Sequence, residues 1–225
     1  MTSPHPSSGE RLPIVILISG KGSNLQAIID AIESGDVAAE IRAVISNRSD
    51  AYGLERARRH GIHTAVIAHQ DYPDRKQFDN ALQYCIDRFQ PGLVILAGFM
   101  RILTDAFVEH YQGRLLNIHP SLLPAYTGLN THQRVIDASE TKHGASVHFV
   151  TNELDGGPVI SQARIPVLPG DRADDLARRV QEQEHHLYPL TLKWFCQGRI
   201  RQQRNQVIYD GQPLSKPIDC TLKTN

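Results

Sequence analysis

Short apolar runs alternate with amphipathic stretches along most of this chain. Residues 13–18, 41–45, 64–67, 93–97 and 115–118 are apolar segments of strand length, the pattern of strands covered on both faces. Between them, apolar residues recur at helical spacing. Leu25, Ile28, Ile29 and Ile32 follow the first run until Gly35 stops it, and the stretches 52–60, 74–89 and 104–110 repeat the pattern. This alternation is the signature of βαβ units. It predicts an α/β fold built on a doubly wound, mostly parallel sheet.

The pattern changes after residue 119. The segment 119–130 carries Pro120, Pro124 and Gly128 without periodicity, and so long a loop within a compact domain marks a functional segment. Residues 131–139 read as a helix. The runs 145–150 and 159–167 alternate with no helix between them, so they are expected to form a C-terminal antiparallel hairpin. Gly170 and Asp171 open a long helix that reaches Cys196, with a kink expected near Pro189. A weak hairpin over 200–209 follows. From Gln212 the pattern is lost, so residues 212–225 are expected to be a loose tail. The polar, Pro- and Ser-rich residues 1–10, which lack a signal-peptide core, are expected to be another. Residues 11–211 then form a single domain.

Composition narrows the class of protein. The chain has 225 residues, 40% hydrophobic and 21% charged, which is ordinary for a globular domain. Lysine plus arginine balance aspartate plus glutamate at 24 each, and no long basic run is present. Non-specific nucleic-acid binding needs clustered cations and is disfavoured, whereas a small anion needs only a local site. The apolar runs fall far short of the about 20 residues that cross a bilayer. Cys85, Cys196 and Cys220 are odd in number and widely spaced, which suggests neither a disulfide framework nor a metal motif. Cys85 shares a helical face with Phe78, Leu82 and Phe89 and reads as a buried thiol. These features together indicate a cytoplasmic protein.

Chemistry concentrates where strands end. Asn117 and His119 lie two residues apart on one face of the fifth strand, and Pro120 helps to stop it. An amide donor and an imidazole then point into the crevice where open α/β sheets bind ligands. The plainer alternative is a pair of satisfied loop residues. After the first strand, Gly20 and Gly22 allow close backbone approach, and the N–H groups of Ser23 and Asn24 sit at a helix N-terminus, a ready anion site. Leu25 takes the place of the third glycine of a dinucleotide fingerprint, and Asn47 and Arg48 stand where an acidic ribose ligand would be. A single phosphate is therefore preferred to NAD, with a ligand-free tight turn as the alternative. Asp155, in an Asp-Gly-Gly-Pro turn, is by itself most simply a turn residue. His148 is most simply a packed or solvent-facing histidine, and Arg75 a surface cation. Glu184 falls on the helical stripe of Leu176, Val180 and Leu187, where an unpaired carboxylate is costly. Either a ligand or neighbouring donor resolves that conflict, or the side chain reaches water from the edge of the stripe.

Several segments together resemble the folate-dependent formyltransferase family. They are Ile18-Ser-Gly-Lys-Gly-Ser-Asn-Leu-Gln26, Leu96-Ala-Gly-Phe-Met-Arg-Ile-Leu103 and Leu115-Leu-Asn-Ile-His-Pro-Ser-Leu-Leu-Pro124. Gly144-Ala-Ser-Val-His-Phe-Val150, Glu153-Leu-Asp-Gly-Gly-Pro158 and Gln181-Glu-Gln-Glu-His185 continue the series in family order. The first and last segments point within the family to phosphoribosylglycinamide formyltransferases. The resemblance implies a Rossmann-like formyltransferase fold, 10-formyltetrahydrofolate as donor co-substrate and glycinamide ribonucleotide as acceptor. No metal is expected, because the formyl group already has the required oxidation level, and the sequence leaves monomer or homodimer open. It implies that Gly22, Ser23 and Asn24 hold the substrate phosphate and that Gln181, Glu182, Gln183 and Glu184 contact the ribonucleotide. It lines the folate site with Arg75, Met100, Arg101, Ile102, Leu103, Asn117, Asn152, Glu153, Leu154 and Asp155. Asn117, His119 and Asp155 match the family's catalytic residues. Thr127 and Asn130 depart from the family pattern in the loop, which puts loop rigidity in question, and Gly92 departs without explanation.

The mechanism so implied is direct formyl transfer to the ribonucleotide amine. Charge develops on the formyl oxygen, and one preorganised donor aimed at it is worth about 3–4 kcal/mol. Asn117 supplies a neutral donor and protonated His119 a charge-assisted one, the donating form being favoured by Asp155. Asp155, His119 or a water relays the amine proton to the folate nitrogen. Methionyl-tRNA formyltransferases, which resemble this core but carry a further C-terminal domain, fit the roughly 60 residues after Val167 poorly. Formyltetrahydrofolate deformylase shares the core with an added N-terminal domain, where only a short tail is expected here; it or another formyltransferase is the alternative, and a non-catalytic phosphate-binding module is the reading from another class.

Overall fold

A computed structural model describes residues 11–222. The expected N-terminal tail, 1–10, and residues 223–225 lie outside the described residues. The first strands are β1 (Leu12–Ile18), β2 (Ala39–Ser46), β3 (Thr64–Val66), β4 (Leu93–Leu96) and β5 (Leu115–His119). The chain continues through β6 (Lys142–Phe149), β7 (Val159–Pro166), β8 (Ile200–Gln203), β9 (Gln206–Tyr209), β10 (Gln212–Pro213) and β11 (Ile218–Asp219). The helices are α1 (Ser23–Glu33), α2 (Tyr52–Arg59), α3 (Arg75–Asp87), α4 (Asp105–His110), α5 (Thr131–Asp137) and α6 (Ala173–Cys196).

The main sheet has the order β11-β7-β6-β5-β4-β1-β2-β3. Strands β3, β2, β1, β4 and β5 are parallel, while β6 runs antiparallel to both β5 and β7. The period of two along β1 divides the core into two layers. Ile14, Ile16 and Ile18 pack with Leu25 of α1, Leu54 of α2 and Leu187 of α6. Val15 and Leu17 pack on the opposite face with Phe78 and Leu82 of α3 and Phe107 of α4. Helices thus cover both faces, and α6 continues through Pro189. Chain order reverses between β1 and β4, so the crevice beyond their carboxyl ends is the switch point where open α/β sheets bind ligands.

The stretch from Gln212 differs from the loose tail that the pattern suggests. β10 extends the β8–β9 hairpin, and β11 runs parallel to β7 at the sheet edge. The Cys220 N–H donates to the Gln162 carbonyl at 2.8 Å, and the Leu222 N–H to Gln183 Oε1 at 2.9 Å. Strands of two residues are too short to show alternation, so the pattern carries no sign of them.

Candidate active site

Three loops at the carboxyl ends of β1, β2 and β4 are tied together by one hydroxyl. Ser19 Oγ donates to Asn47 Oδ1 at 2.6 Å and accepts from the Met100 N–H at 2.8 Å. This bond anchors the segment carrying Met100, Arg101, Ile102 and Leu103. Asp79 anchors its far end, accepting from the Thr104 N–H at 2.6 Å. Met100 and Ile102 are exposed apolar side chains on this segment. Arg75 is exposed on α3. Tyr188 of α6 lies beneath, its buried hydroxyl shared between the carbonyls of Leu96 and Leu116, both at 3.1 Å.

The glycine turn has the geometry of an anion cradle. Gly22 caps α1 at φ 70°, and a Cβ there would stand 2.7 Å from the Gly53 Cα. Both the left-handed backbone and the close approach of α2 demand glycine. Ser23 and Asn24 open α1, so their N–H groups point out of the helix end.

Helix α6 supplies the opposite wall. Gln181 Nε2 donates to Ser23 Oγ and Asn24 Nδ2 to Glu184 Oε2, each at 2.9 Å. The Glu184 conflict is thus resolved only in part, by one amide. Burial lifts its carboxyl to about 7, with the Asn24 bond opposing the shift. Asn24 Oδ1 and His185 Nε2 are buried without a hydrogen-bond partner. A cavity of about 370 Å³ opens between Ser23, Gln26, Asp30, Arg56 and His185. His185 follows Gln181 at the i+4 spacing that puts both on one helical face, a signal the sequence contained. Glu182 is exposed; burial pushes the half-buried His185 ring down, and the Glu182 carboxylate pulls it upward against that shift. Gln183 turns away from this wall to the Leu222 N–H.

The tip of β5 holds the second cluster. Asn117 faces His148 across the β5–β6 pair, and its Nδ2 lies 3.1 Å from His148 Nε2. His148 Nδ1 stands 2.9 Å from the Phe149 carbonyl, which can only accept, so this nitrogen carries the proton. Burial pushes the ring down to about 4, against the pull of the Phe149 carbonyl and Asp155. Neutral His148 therefore accepts from Asn117 and fixes the face of its amide. One Asn117 N–H remains for the cleft. His148 is the residue that its own strand gave no reason to select.

His119 is buried between two acceptors. Its Nε2 donates to the Tyr126 carbonyl at 2.9 Å, and its Nδ1 lies 3.5 Å from Asp155 Oδ2. Asp155 is also a turn residue, at φ 52°, and its Oδ2 accepts from the Gly128 N–H at 2.8 Å. Gly157 lets this turn fold back, since a Cβ there would meet the Phe149 carbonyl oxygen at 1.8 Å. Asp155 thus joins the 151–158 turn to the 120–130 loop. Arg134 braces that loop, donating to the Thr127 carbonyl at 2.6 Å with its guanidinium 5.4 Å from the Tyr126 ring centre. Asn152, Glu153 and Leu154 are exposed on the neighbouring turn, and Asn152 Nδ2 donates to Glu109 Oε1 at 3.3 Å.

The structure therefore brings Asn117, His119 and Asp155 together with His148, and separately Gly22, Ser23, Asn24, Gln181 and Glu184 with His185. Among the described residues, no cluster of His, Cys, Asp and Glu is arranged to hold a metal, and no helix is long and apolar enough to cross a membrane.

Residues 12–192 match the family described as formyl transferase. The chain is 55% identical over 201 residues to the phosphoribosylglycinamide formyltransferase of Escherichia coli, covering 89% of this chain and 95% of that protein. It is 47% identical to the Haemophilus influenzae enzyme of the same name, covering 90% of this chain and 96% of that one. The solved structure of the Coxiella burnetii phosphoribosylglycinamide formyltransferase superposes with a TM-score of 0.90 at 56% identity, covering 93% of this chain and 99% of that one.

Proposed function

Because the chain belongs to the formyl transferases, and within them to the phosphoribosylglycinamide formyltransferases, we propose that its two clusters divide one reaction between them. The reaction moves the formyl group of 10-formyltetrahydrofolate to the amine of glycinamide ribonucleotide, a step of purine synthesis. The α1–α6 cluster holds the acceptor and the β5 tip performs the transfer. The observation that carries this reading is the Asn117 amide, oriented by a neutral His148 beside an imidazole that faces a carboxylate.

The phosphate sits on the N–H groups of Ser23 and Asn24, where the helix end favours negative charge. Gln181 and Ser23 complete the cradle. Glu184 accepts from hydroxyl or amine hydrogens of the ribonucleotide, which compensates its burial. The folate ring covers the exposed apolar side chains Met100, Ile102 and Leu154, and the neighbouring Arg75, Arg101, Leu103, Asn152 and Glu153 line the approach.

The amine attacks the formyl carbon, and charge gathers on the formyl oxygen. The free Asn117 N–H and the Nδ1–H of protonated His119 donate to that oxygen. Nε2 stays on the Tyr126 carbonyl throughout, which leaves Nδ1 as the nitrogen of His119 for this bond. Asp155 beside it, with Oδ2 3.5 Å from Nδ1, receives or relays the amine proton, which reaches the folate nitrogen as the bond between that nitrogen and the formyl carbon breaks and tetrahydrofolate leaves. The three free thiols accord with a reducing compartment, and we place the reaction in the cytoplasm.

Folate carrying a ¹³C-labelled formyl group tests the reading. Label should pass to glycinamide ribonucleotide, with little formate released when the ribonucleotide is withheld. Rapid formate release without acceptor would instead mark a deformylase.

A further inference from the structure

A continuous chain of hydrogen bonds, buried where it crosses β6 and β7 and exposed at Arg164 and Asp219, joins the C-terminal strand to the loop that follows His119, and it passes through one side chain, Gln162 of β7. Gln162 is buried on the outer side of the β6–β7 hairpin, and neither its position nor its residue type marked it in the sequence. Its Nε2 donates to the Leu123 carbonyl at 2.9 Å and to Ser146 Oγ at 3.0 Å. Ser146 Oγ in turn accepts from the Leu123 N–H at 3.1 Å and donates to the Ser121 carbonyl at 2.7 Å. One amide and one hydroxyl thus clamp three backbone groups of the loop.

The loop passes this restraint on to the imidazole. Ser121 Oγ donates to the Ala125 carbonyl at 2.7 Å, closing a tight turn. The next residue, Tyr126, presents the carbonyl that receives His119 Nε2–H. On the other side, the orientation of the Gln162 amide is set by the C-terminal strand. Arg164 Nη2 donates to Gln162 Oε1 at 3.2 Å, while its Nη1 donates to Asp219 Oδ2 at 2.7 Å. The Arg164 N–H donates to Thr221 Oγ1 at 2.8 Å, and the Cys220 N–H to the Gln162 carbonyl at 2.8 Å. A guanidinium can only donate, so Arg164 forces the amide oxygen outward and the amide nitrogen onto the loop.

We propose that Gln162 is a positioning residue for formyl transfer, aimed by Arg164 and the strand β11, and acting on His119 through the 121–126 loop. It touches neither substrate. This inference rests on the role given above to His119. A displaced Tyr126 carbonyl leaves His119 Nε2 unheld and lets the ring swing, and a misplacement of about 1 Å at a reacting group costs up to a hundredfold in rate.

The test compares Gln162→Leu and the milder Arg164→Met with the parent, using the full chain, both substrates and rates per folded molecule. For Gln162→Leu, kcat should fall about tenfold while both KM values stay within about twofold. Arg164→Met should lose about threefold in kcat with the same KM pattern. In ¹⁵N-histidine spectra the His119 Nε2–H signal should shift and exchange faster in both variants. Unchanged kcat per folded molecule with an unchanged His119 signal, even where the melting temperature drops, would overturn the proposal. If Gln162→Leu does not fold, Arg164→Met decides by the same two readings. His119→Ala measured alongside separates the two levels. Should it keep its rate, the role of His119 falls, and the imidazole signal still decides whether Gln162 holds the ring.

Discussion

The two ends of the cleft differ in how completely their polar groups are paired. At the β5 tip, His148 has a partner on each nitrogen, His119 lies between the Tyr126 carbonyl and Asp155, and Asp155 also caps the Gly128 N–H. At the α1–α6 end, Asn24 Oδ1 and His185 Nε2 are buried without partners, and Glu184 has a single amide donor. Buried polar groups are normally satisfied, so an orphan such as His185 Nε2 in a residue that lines a cavity points to a place for a ligand. On the proposed function, the first end is organised in advance for charge that exists only in the transition state, and the second is finished by the ribonucleotide. The contrast assigns rate to one end and affinity to the other.

Substitutions at the two ends should accordingly separate kcat from KM. The largest effect is expected for Asp155→Asn, which keeps an acceptor for the Gly128 N–H but loses the charge beside His119. Steady-state kcat should drop about a hundredfold, with the ribonucleotide KM little changed. Gly22→Ala comes next and at the other end. A Cβ at φ 70°, 2.7 Å from the Gly53 backbone, distorts the cradle. The ribonucleotide KM should rise tenfold or more, on the order of 1–3 kcal/mol of strain and lost phosphate contacts. If Gly22→Ala lowered kcat and left KM alone, the division of labour would fail.

His148→Leu should cost about tenfold in kcat by freeing the Asn117 amide to rotate, with the fold kept by the apolar replacement. That loss should persist unchanged from pH 6 to 8, because a ring held near 4 is neutral throughout this range. Glu184→Gln has the smallest kinetic effect, a few-fold rise in ribonucleotide KM, and a distinctive one on stability. The Glu184 carboxyl, raised from 4.5 to about 7 in the fold, holds a proton that the unfolded chain has already released between those values. Parental stability therefore declines as pH rises through that window, by on the order of 3 kcal/mol at most, and the glutamine variant should lack this decline. Chemical denaturation at pH 5 and pH 8 reads it directly.

How much of this was legible in the sequence depends on how local each signal is. The parallel strands were legible because their apolar runs are continuous, and Asn117 and His119 because alternation along one strand puts both on one face. Gly22, Ser23 and Asn24 were legible as a helix end, and Glu184 as a carboxylate in an apolar stripe. His148 was not. Its role comes from the cross-strand register with Asn117, which no spacing within β6 encodes. Gln162 was hidden for the same reason, its partners lying on three other segments. The stretch 212–222 escaped because it binds an edge strand through backbone groups, for which hydrophobic pattern has no symbol. Gln183 illustrates the reverse case. It belongs to the motif that resembles the family, yet helical geometry turns it away from Ser23 and Asn24 and towards Leu222.

The central claim is that Asn117 and His119 donate to one oxygen as a unit. Single-turnover formyl transfer at saturating concentrations of both substrates, in Asn117→Ala, His119→Ala and the double variant, tests it most directly. Each single variant should slow the chemical step about a hundredfold, and the double should be little slower than the worse single, as groups acting together are not additive. A single variant that transfers formyl within threefold of the parental rate would contradict the account.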